Sequence, residues 1–454
     1  MFRHFIPGAV ILLLTGCVLR PPGVADEKSR LDQAGQVYRE PITPPELSDH
    51  PTWQEVLHRA FLANGDLESA WYDWAAAFAR IDQAANWPNS NLAPTFSYLF
   101  SGGKMKAWDR TTVNVGFDPM QNVSFPTKTA RAGHQALENA RAAGQRFAAK
   151  KFALQKQVLQ SWLDIALMDE QIRIQTDNTS LLKLLSETAA DRVRAGAPQQ
   201  DLLKAQIEYR LAEVELQRMQ TQRKSMRAML NGMLARDPEA PLPLPDTLPD
   251  PRPLWASDAQ LIAAAVDANP ELSALARDVA SRKDALELAR MRYIPDINPA
   301  AAFTGSISQT VGAMVILPTT IPAIKASIAE ARAMLQSTEA MARQTRADRS
   351  ASFVASLYAL RNAESQVKLF RETVLPKAEQ ALSSSRQAYA AGQIGFIELI
   401  DSQRTLLDVR LMIAQARIAR EKQLAELEAL AGIDVETLHP ATTKATAGAT
   451  TQPR

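Results

Sequence analysis

Two stretches of the chain, Gln145 to Ala195 and Ala323 to Leu375, contain neither glycine nor proline. Both are rich in alanine, leucine and charged residues, which favour helix. At ~1.5 Å per residue each predicts a rod longer than ~75 Å. No ordinary globular domain hides such a rod, so the fold is expected to be built around long helices. Pro126 and Pro322 open the rods, which turn back at Ala195-Gly196-Ala197-Pro198 and at Ala391-Gly392-Gln393, small residues suited to a reversal. Apolar residues recur at Leu357, Leu360, Val367 and Val374, and in the returning helix at Leu407, Leu411, Ala414 and Ile418. Glu364 and Arg371 interrupt the first seam, which predicts lateral packing in a larger bundle over a lone two-stranded coil.

The rods belong to two copies of one unit. VLHRAFLANGDL (Val56 to Leu67) matches LIAAAVDANPEL (Leu261 to Leu272), placing Asn64 against Asn269 at an offset of 269 − 64 = 205. RAGAPQQDLLKAQ resembles AAGQIGFIELIDSQ, pairing Gly196 with Gly392 (offset 196) and Gln206 with Gln403 (offset 197), and Trp53 and Trp255 open the copies at offset 202. Four matches in one order indicate a duplicated unit of ~200 residues. The copies span 53–237 and 255–435. They are separated by a linker, 238–254, where Pro238, Pro241, Pro243, Pro245, Pro249, Pro251 and Pro253 forbid helix.

Each copy is expected to begin with a helix of about seven turns, near 53 to 86 and 257 to 292, ended by Pro88 and Pro94 and by Pro295 and Pro299. Strand character follows. In TFSYLFS, Phe96, Tyr98 and Phe100 alternate with Thr95, Ser97 and Ser101, and in TTVNVGF the apolar set is Val113, Val115 and Phe117. Period two with aromatic residues on one side fits a strand between lipid and a wet interior; an edge hairpin of a soluble domain has the same pattern. Copy two offers Phe303, Ile307, Val311, Ala313, Val315 and Leu317, with a short turn near Ser308 to Thr310.

Residues 1–16 read as a signal peptide, since the apolar run Ala9 to Leu14 is far short of the ~20 residues needed to span a bilayer. Leu14-Thr15-Gly16-Cys17 resembles a bacterial lipoprotein box, so a covalent lipid on Cys17 is expected, with an ordinary secretory signal as the alternative. Val18 in place of an acidic residue favours the outer membrane. Residues 17–52 form an N-terminal strap and 436–454 a polar tail. A single cysteine excludes disulfides and multi-cysteine metal sites. With 51 Lys+Arg against 49 Asp+Glu there is no sequence-wide basic field for nucleic acid. The five histidines, His4, His50, His58, His134 and His439, are dispersed and neither HExxH nor GxSxG occurs, so no enzyme and no resident cofactor are expected. Met226, Met229 and Met233 share a helix face, where thioethers pack more often than they ligate metal.

Four strands cannot close a barrel in lipid, because open edges leave backbone groups unpaired at several kcal/mol each. Only a barrel well above eight strands keeps a wet lumen, so at least three chains are required. The duplicated helix–hairpin–helix unit, NPEL (Asn269 to Leu272), VLPKAEQAL (Val374 to Leu382) and AYAAGQIGFIELIDSQRTLL (Ala388 to Leu407) together resemble the outer-membrane factor, or TolC, family. The resemblance implies a mainly helical homotrimer: a twelve-stranded β-barrel in the outer membrane, continued by an α-barrel of long helical hairpins through the periplasm. It implies an efflux exit duct that docks a periplasmic adaptor and an inner-membrane transporter through the turns at Ala195, Gly196 and Ala197 and at Ala391, Gly392 and Gln393. Glu398 and Asp401, three apart on one helix face, match the acidic residues that narrow the family's periplasmic entrance; the first copy has Asp201 and Lys204 there. Read from spacing alone, they are carboxylates favourably placed near a helix N-terminus. The alternative to a duct is a rod-like periplasmic lipoprotein scaffold, which needs no amphipathic strands.

Overall fold

The computed structural model describes residues 19–39, 43–49, 51–86, 92–100, 103–117, 124–196, 198–242, 248, 250–254 and 257–434. The signal peptide, Cys17, Ala197, Trp255, Pro88 and the polar tail lie outside these residues. The chain divides into two compact units, Met1–Arg39, Ser69–Phe147 and Glu271–Arg346 in one, and Glu40–Glu68, Ala148–Pro270 and Ala347–Arg454 in the other. Its elements in order are α1 (Val24–Arg39), α2 (Trp53–Ala63), α3 (Gly65–Ala85), β1 (Leu92–Tyr98), β2 (Thr111–Phe117), α4 (Pro126–Arg194) and α5 (Gln199–Met233). The second copy supplies α6 (Asp258–Ala268), α7 (Pro270–Arg290), β3 (Asp296–Thr304), β4 (Ser308–Ile316), α8 (Ile321–Leu369), α9 (Leu375–Ala390) and α10 (Phe396–Ala431). The order repeats helix pair, hairpin, long helix and returning helix, as the internal matches predict.

The opening helix of each copy is two helices, broken at Asn64 and at Asn269. Asn64 accepts the N–H groups of Asp66 and Leu67 through Oδ1, capping α3. Its amide donates to the carbonyl of Met233 at 3.3 Å. Asn269 donates in the same way to the carbonyl of Leu430 at 2.6 Å. Each asparagine thus satisfies an orphan carbonyl at the end of its copy's returning helix, a role that a helix-forming residue cannot fill. Helix α3 ends at Ala85 and α7 at Arg290; Pro94 and Pro299, expected as helix breakers, stand inside β1 and β3.

The first rod is one helix of 69 residues. Gly133 and Gly144 lie within it because a Cβ there would come within 3.0 Å of Ala85 and 2.8 Å of Trp74. The second rod differs from expectation: a π turn, Phe370–Val374, divides α8 from α9. Pro376, in the first turn of α9, has no N–H and would clash with a regular preceding turn, and the wider turn absorbs the mismatch. The strap contains a helix that no sequence pattern announced. In α1, Glu27 accepts from the indole of Trp74 at 2.9 Å, and the Leu31 carbonyl from that of Trp71 at 3.2 Å. Gly35 has no Cβ because the Trp71 ring occupies its place.

In the first unit α4 and α7 are tied by ion pairs. Asp284 accepts from Arg131 and His134, and Glu138, 3% exposed at its side chain, meets Arg141 at 2.6 Å and Arg277 at 3.3 Å. In the second unit α10 gives Leu424 and Leu427 to a core shared with Leu357 and Leu360, and Glu421 and Glu428 to a charged knot. Arg252 meets Glu421 at 3.2 Å and Glu428 at 3.0 Å, with the ring of Trp53 5.7 Å from its guanidinium. Burial opposes the charge of Arg252, but Glu428 and Glu421 outweigh it and hold the guanidinium above its ordinary pKa.

Candidate functional site

The four strands form one antiparallel sheet in the order β1-β2-β3-β4, so the hairpin of each copy joins the other through β2 and β3. Register sorts the side chains. Phe96 opposes Val113, Val113 opposes Phe303, and Ala301 opposes Val311. With period two, one face therefore carries Phe96, Tyr98, Val113, Ile297, Ala301, Phe303, Val311, Ala313 and Val315. The other carries Thr95, Ser97, Thr112, Asn114, Ala302, Thr304, Ser308, Thr310 and Gly312. On that polar face the hydroxyls of Thr112 and Thr304 bond across the strands at 3.0 Å.

No described residue covers the apolar face: Phe96 is 73% and Val311 88% exposed. Large apolar side chains left in water forgo about 1.5–3 kcal/mol each, and a contiguous patch of them marks a membrane or protein contact. The outer edges of β1 and β4 pair with no other described strand. No helix among the described residues is long and apolar enough to cross a membrane. The alternation expected in the first copy is present through Tyr98, where β1 ends and leaves Phe100 beyond it, and the second copy, once its turn is placed correctly, follows it less strictly: Gln309 falls on the apolar face and Met314 and Ile316 on the polar one. That turn lies at 305–307, not at Ser308 to Thr310, which belong to β4, and Ile307 stands in it.

A clasp joins the two hairpins at this end. Asp109 accepts from the Ser306 amide at 2.8 Å and from its hydroxyl. Gly305, at φ +48, lets the backbones meet, since a Cβ there would lie 2.4 Å from the Cα of Asp109. Gly305→Val is expected to lower the stability of the sheet by about 2 kcal/mol, read as a lower unfolding temperature in detergent.

The helix reversals are in the second unit. Gly196 (φ +100) and Gly392 (φ +72) supply the left-handed residue at each, and the Gln393 amide closes the second turn on the carbonyl of Ala388 at 2.8 Å. One apolar cluster takes Leu182, Leu185 and Ala189 from α4, Ala205 and Ala212 from α5, Leu382 and Tyr389 from α9, and Phe396, Leu399 and Leu406 from α10. Arg192 lies 4.2 Å over the ring of Tyr389 and donates to its carbonyl at 3.1 Å, fastening the two reversals together. Ala195, Gly196, Ala391, Gly392 and Gln393 are exposed on this framework.

Glu398 and Asp401 are exposed on the first turns of α10 and form no ion pair among the described residues. Glu398 folds back over Gly395, where a Cβ would sit 2.8 Å from its Oε2, so it also favours the helix N-terminus. Asp201 and Lys204 in the first copy are half-buried. Among the described residues no group of three or more His, Cys, Asp or Glu side chains could hold a metal ion. Met229 is exposed, whereas Met226 and Met233 are half-buried, and Met233 lies 4.0 Å from the Ser161 hydroxyl.

No family profile matches the chain. The chain is 22% identical over 386 residues to the cobalt-zinc-cadmium resistance protein CzcC of Cupriavidus metallidurans, covering 82% of this chain and 87% of that protein. Among solved structures, CusC, a protein described as forming a transmembrane channel, superposes with a TM-score of 0.72 at 15% identity, over 87% of this chain and 98% of its own. This is the outer-membrane factor fold. The outer membrane protein VceC of Vibrio cholerae shares it, with a TM-score of 0.71 and 15% identity over 84% of this chain and 96% of that one. In this outer-membrane factor fold the sheet is the feature whose apolar face and outer edges no described residue covers.

Proposed function

We propose that the chain is one third of an outer-membrane exit duct in a tripartite efflux system, passing small molecules or ions outward from a periplasmic adaptor and an inner-membrane pump. The uncovered amphipathic sheet carries this reading. Its apolar face suits lipid, its hydroxyl-lined face suits water, and its two free edges suit pairing with further copies. Three copies supply twelve strands, enough for a wet lumen. A scaffold without a pore has no use for such a sheet. The resistance protein CzcC adds metal ions to the cargo classes this reading admits.

A lipid on Cys17 belongs to the same reading. The Leu19 amide donates to the carbonyl of Ala85 at 3.1 Å, and Arg20 pairs with Asp82 at 2.8 Å, so the start of the described chain is fixed on the end of α3. Cys17 precedes Leu19 by two residues, and β1 is the element that follows α3. The exposed reversals are the docking surface for the adaptor. Glu398 and Asp401, repeated threefold, make six carboxylates round the entrance, a ring that draws in cations.

The test is conductance of the purified oligomer in planar bilayers. Discrete channels are expected, and Glu398→Ala with Asp401→Ala is expected to widen them and to weaken block by multivalent cations. Absence of channels overturns the duct; unchanged current in the double variant overturns the acidic entrance alone.

A further inference from the structure

Helix α5 begins at one reversal and ends, 35 residues later, in a cluster of arginines. Arg223 and Arg227 are one turn apart on one face. Beyond the last turn the chain folds back sharply: Ala235 has φ +49, the only positive value among described non-glycine residues, and the Arg236 amide returns to the carbonyl of Asn231 at 2.9 Å. Asn231 is fully buried and donates to the carbonyls of Pro238 and Ala240 at 3.2 and 2.9 Å. This knot fixes Arg236 beside the helix.

The three guanidinium groups line a cavity of about 410 Å³ with Leu47, Ser48 and Asp49. Arg223 is committed to Asp169 at 2.6 Å. Among the described residues Arg236 meets only neutral acceptors, the Asn231 amide oxygen at 3.3 Å and the Pro241 carbonyl at 3.1 Å. Arg227 is half-buried, and its Nε is shut off from solvent with no hydrogen-bond partner among the described residues. Asp49 is exposed and pairs with none of the three. Nearby, burial and the charge of Arg236 hold Arg59 below its ordinary pKa, against the opposing pull of Glu46. The field at this corner is therefore positive and incompletely balanced.

The helix dipole does not account for Arg227, because its effect is confined to the last turn and Arg227 stands nearly two turns before the helix end. A buried guanidinium donor without an acceptor is costly. Its planar fork fits two oxygens of one anionic group. We propose that this cavity binds an oxyanion, the phosphate or carboxylate group of a small ligand, held by Arg227 and Arg236, with Arg223 contributing field. The proposal does not depend on the duct reading.

The test uses the full chain as the detergent-purified oligomer. Pyrophosphate and citrate are titrated separately by calorimetry and by thermal unfolding, at constant ionic strength set with chloride, so that general screening is equal in all arms. Saturable binding of one anion is expected, and the arm that binds identifies phosphate or carboxylate chemistry. Arg227→Gln is expected to weaken it by about tenfold, whereas Arg194→Gln, an exposed control, leaves it unchanged. Three results overturn the site: no saturable binding in either arm, equal binding by Arg227→Gln, or an oligomer that ignores both anions and dissociates on that substitution. The last assigns the arginine to a carboxylate of a neighbouring copy.

Discussion

Val311→Arg is expected to prevent assembly of the oligomer in membranes, while Thr310→Arg, one position away, leaves it intact. Val311 lies on the apolar face of the sheet and is 88% exposed in the single chain. Thr310 opposes Ala302 on the polar face. A substitution at a water-exposed site away from special features changes stability by about ±0.5 kcal/mol. An arginine facing the middle of a bilayer costs about 2–4 kcal/mol, and threefold repetition in the proposed trimer multiplies it to about 6–12 kcal/mol. The measurement is the yield of detergent-resistant oligomer from membranes for the two variants side by side. Equal yields would mean that this face meets water and that the sheet is not a barrel wall.

Arg252→Met is the most disruptive single change expected in the second unit. Its side chain is 14% exposed, and Glu421 and Glu428 are 6% and 2% exposed at theirs. Removing the cation leaves Glu428 facing a hydrophobic isostere, whereas Glu421 keeps Arg420. Breaking such a buried pair costs about 3–5 kcal/mol. Arg252→Met with Glu428→Gln is expected to restore most of the stability, because the second change removes the buried charge that the first leaves without its guanidinium. Denaturant midpoints of the two variants decide it, and a double variant no more stable than Arg252→Met would place the charge elsewhere.

Much of the architecture was legible because it follows from local rules. Freedom from glycine and proline announced the rods, and the alternation of Phe96 and Tyr98 with Thr95 and Ser97 announced a two-faced strand. The internal match of Asn64 with Asn269 located a shared position but not its task. That task, breaking a helix to reach a carbonyl at Met233 or Leu430, depends on chain 160 or more residues away. Arg252 escaped notice for the same reason, since Glu421 and Glu428 are 169 and 176 residues distant. Pro376 was the available signal for the π turn: a proline inside an otherwise helical pattern asks for a break near it. The acidic pair was visible as spacing. Arg227 is one cation among many in the sequence, and only the lack of an acceptor for its Nε among the described residues distinguishes it.

The pairing of β2 with β3 joins residues 112–116 to residues 300–304. Separations of this size make folding slow, because a loop of almost two hundred residues must close before the first inter-hairpin bond forms. The β1–β2 ribbon is the earlier product, and a two-stranded ribbon by itself is at best marginally stable in water. It must wait, sticky on one side and unpaired on both borders, until the second half of the polypeptide reaches it. The interval between those events is when this molecule is most prone to aggregate, and a holding chaperone that shields the ribbon during that wait would raise the yield of the finished assembly.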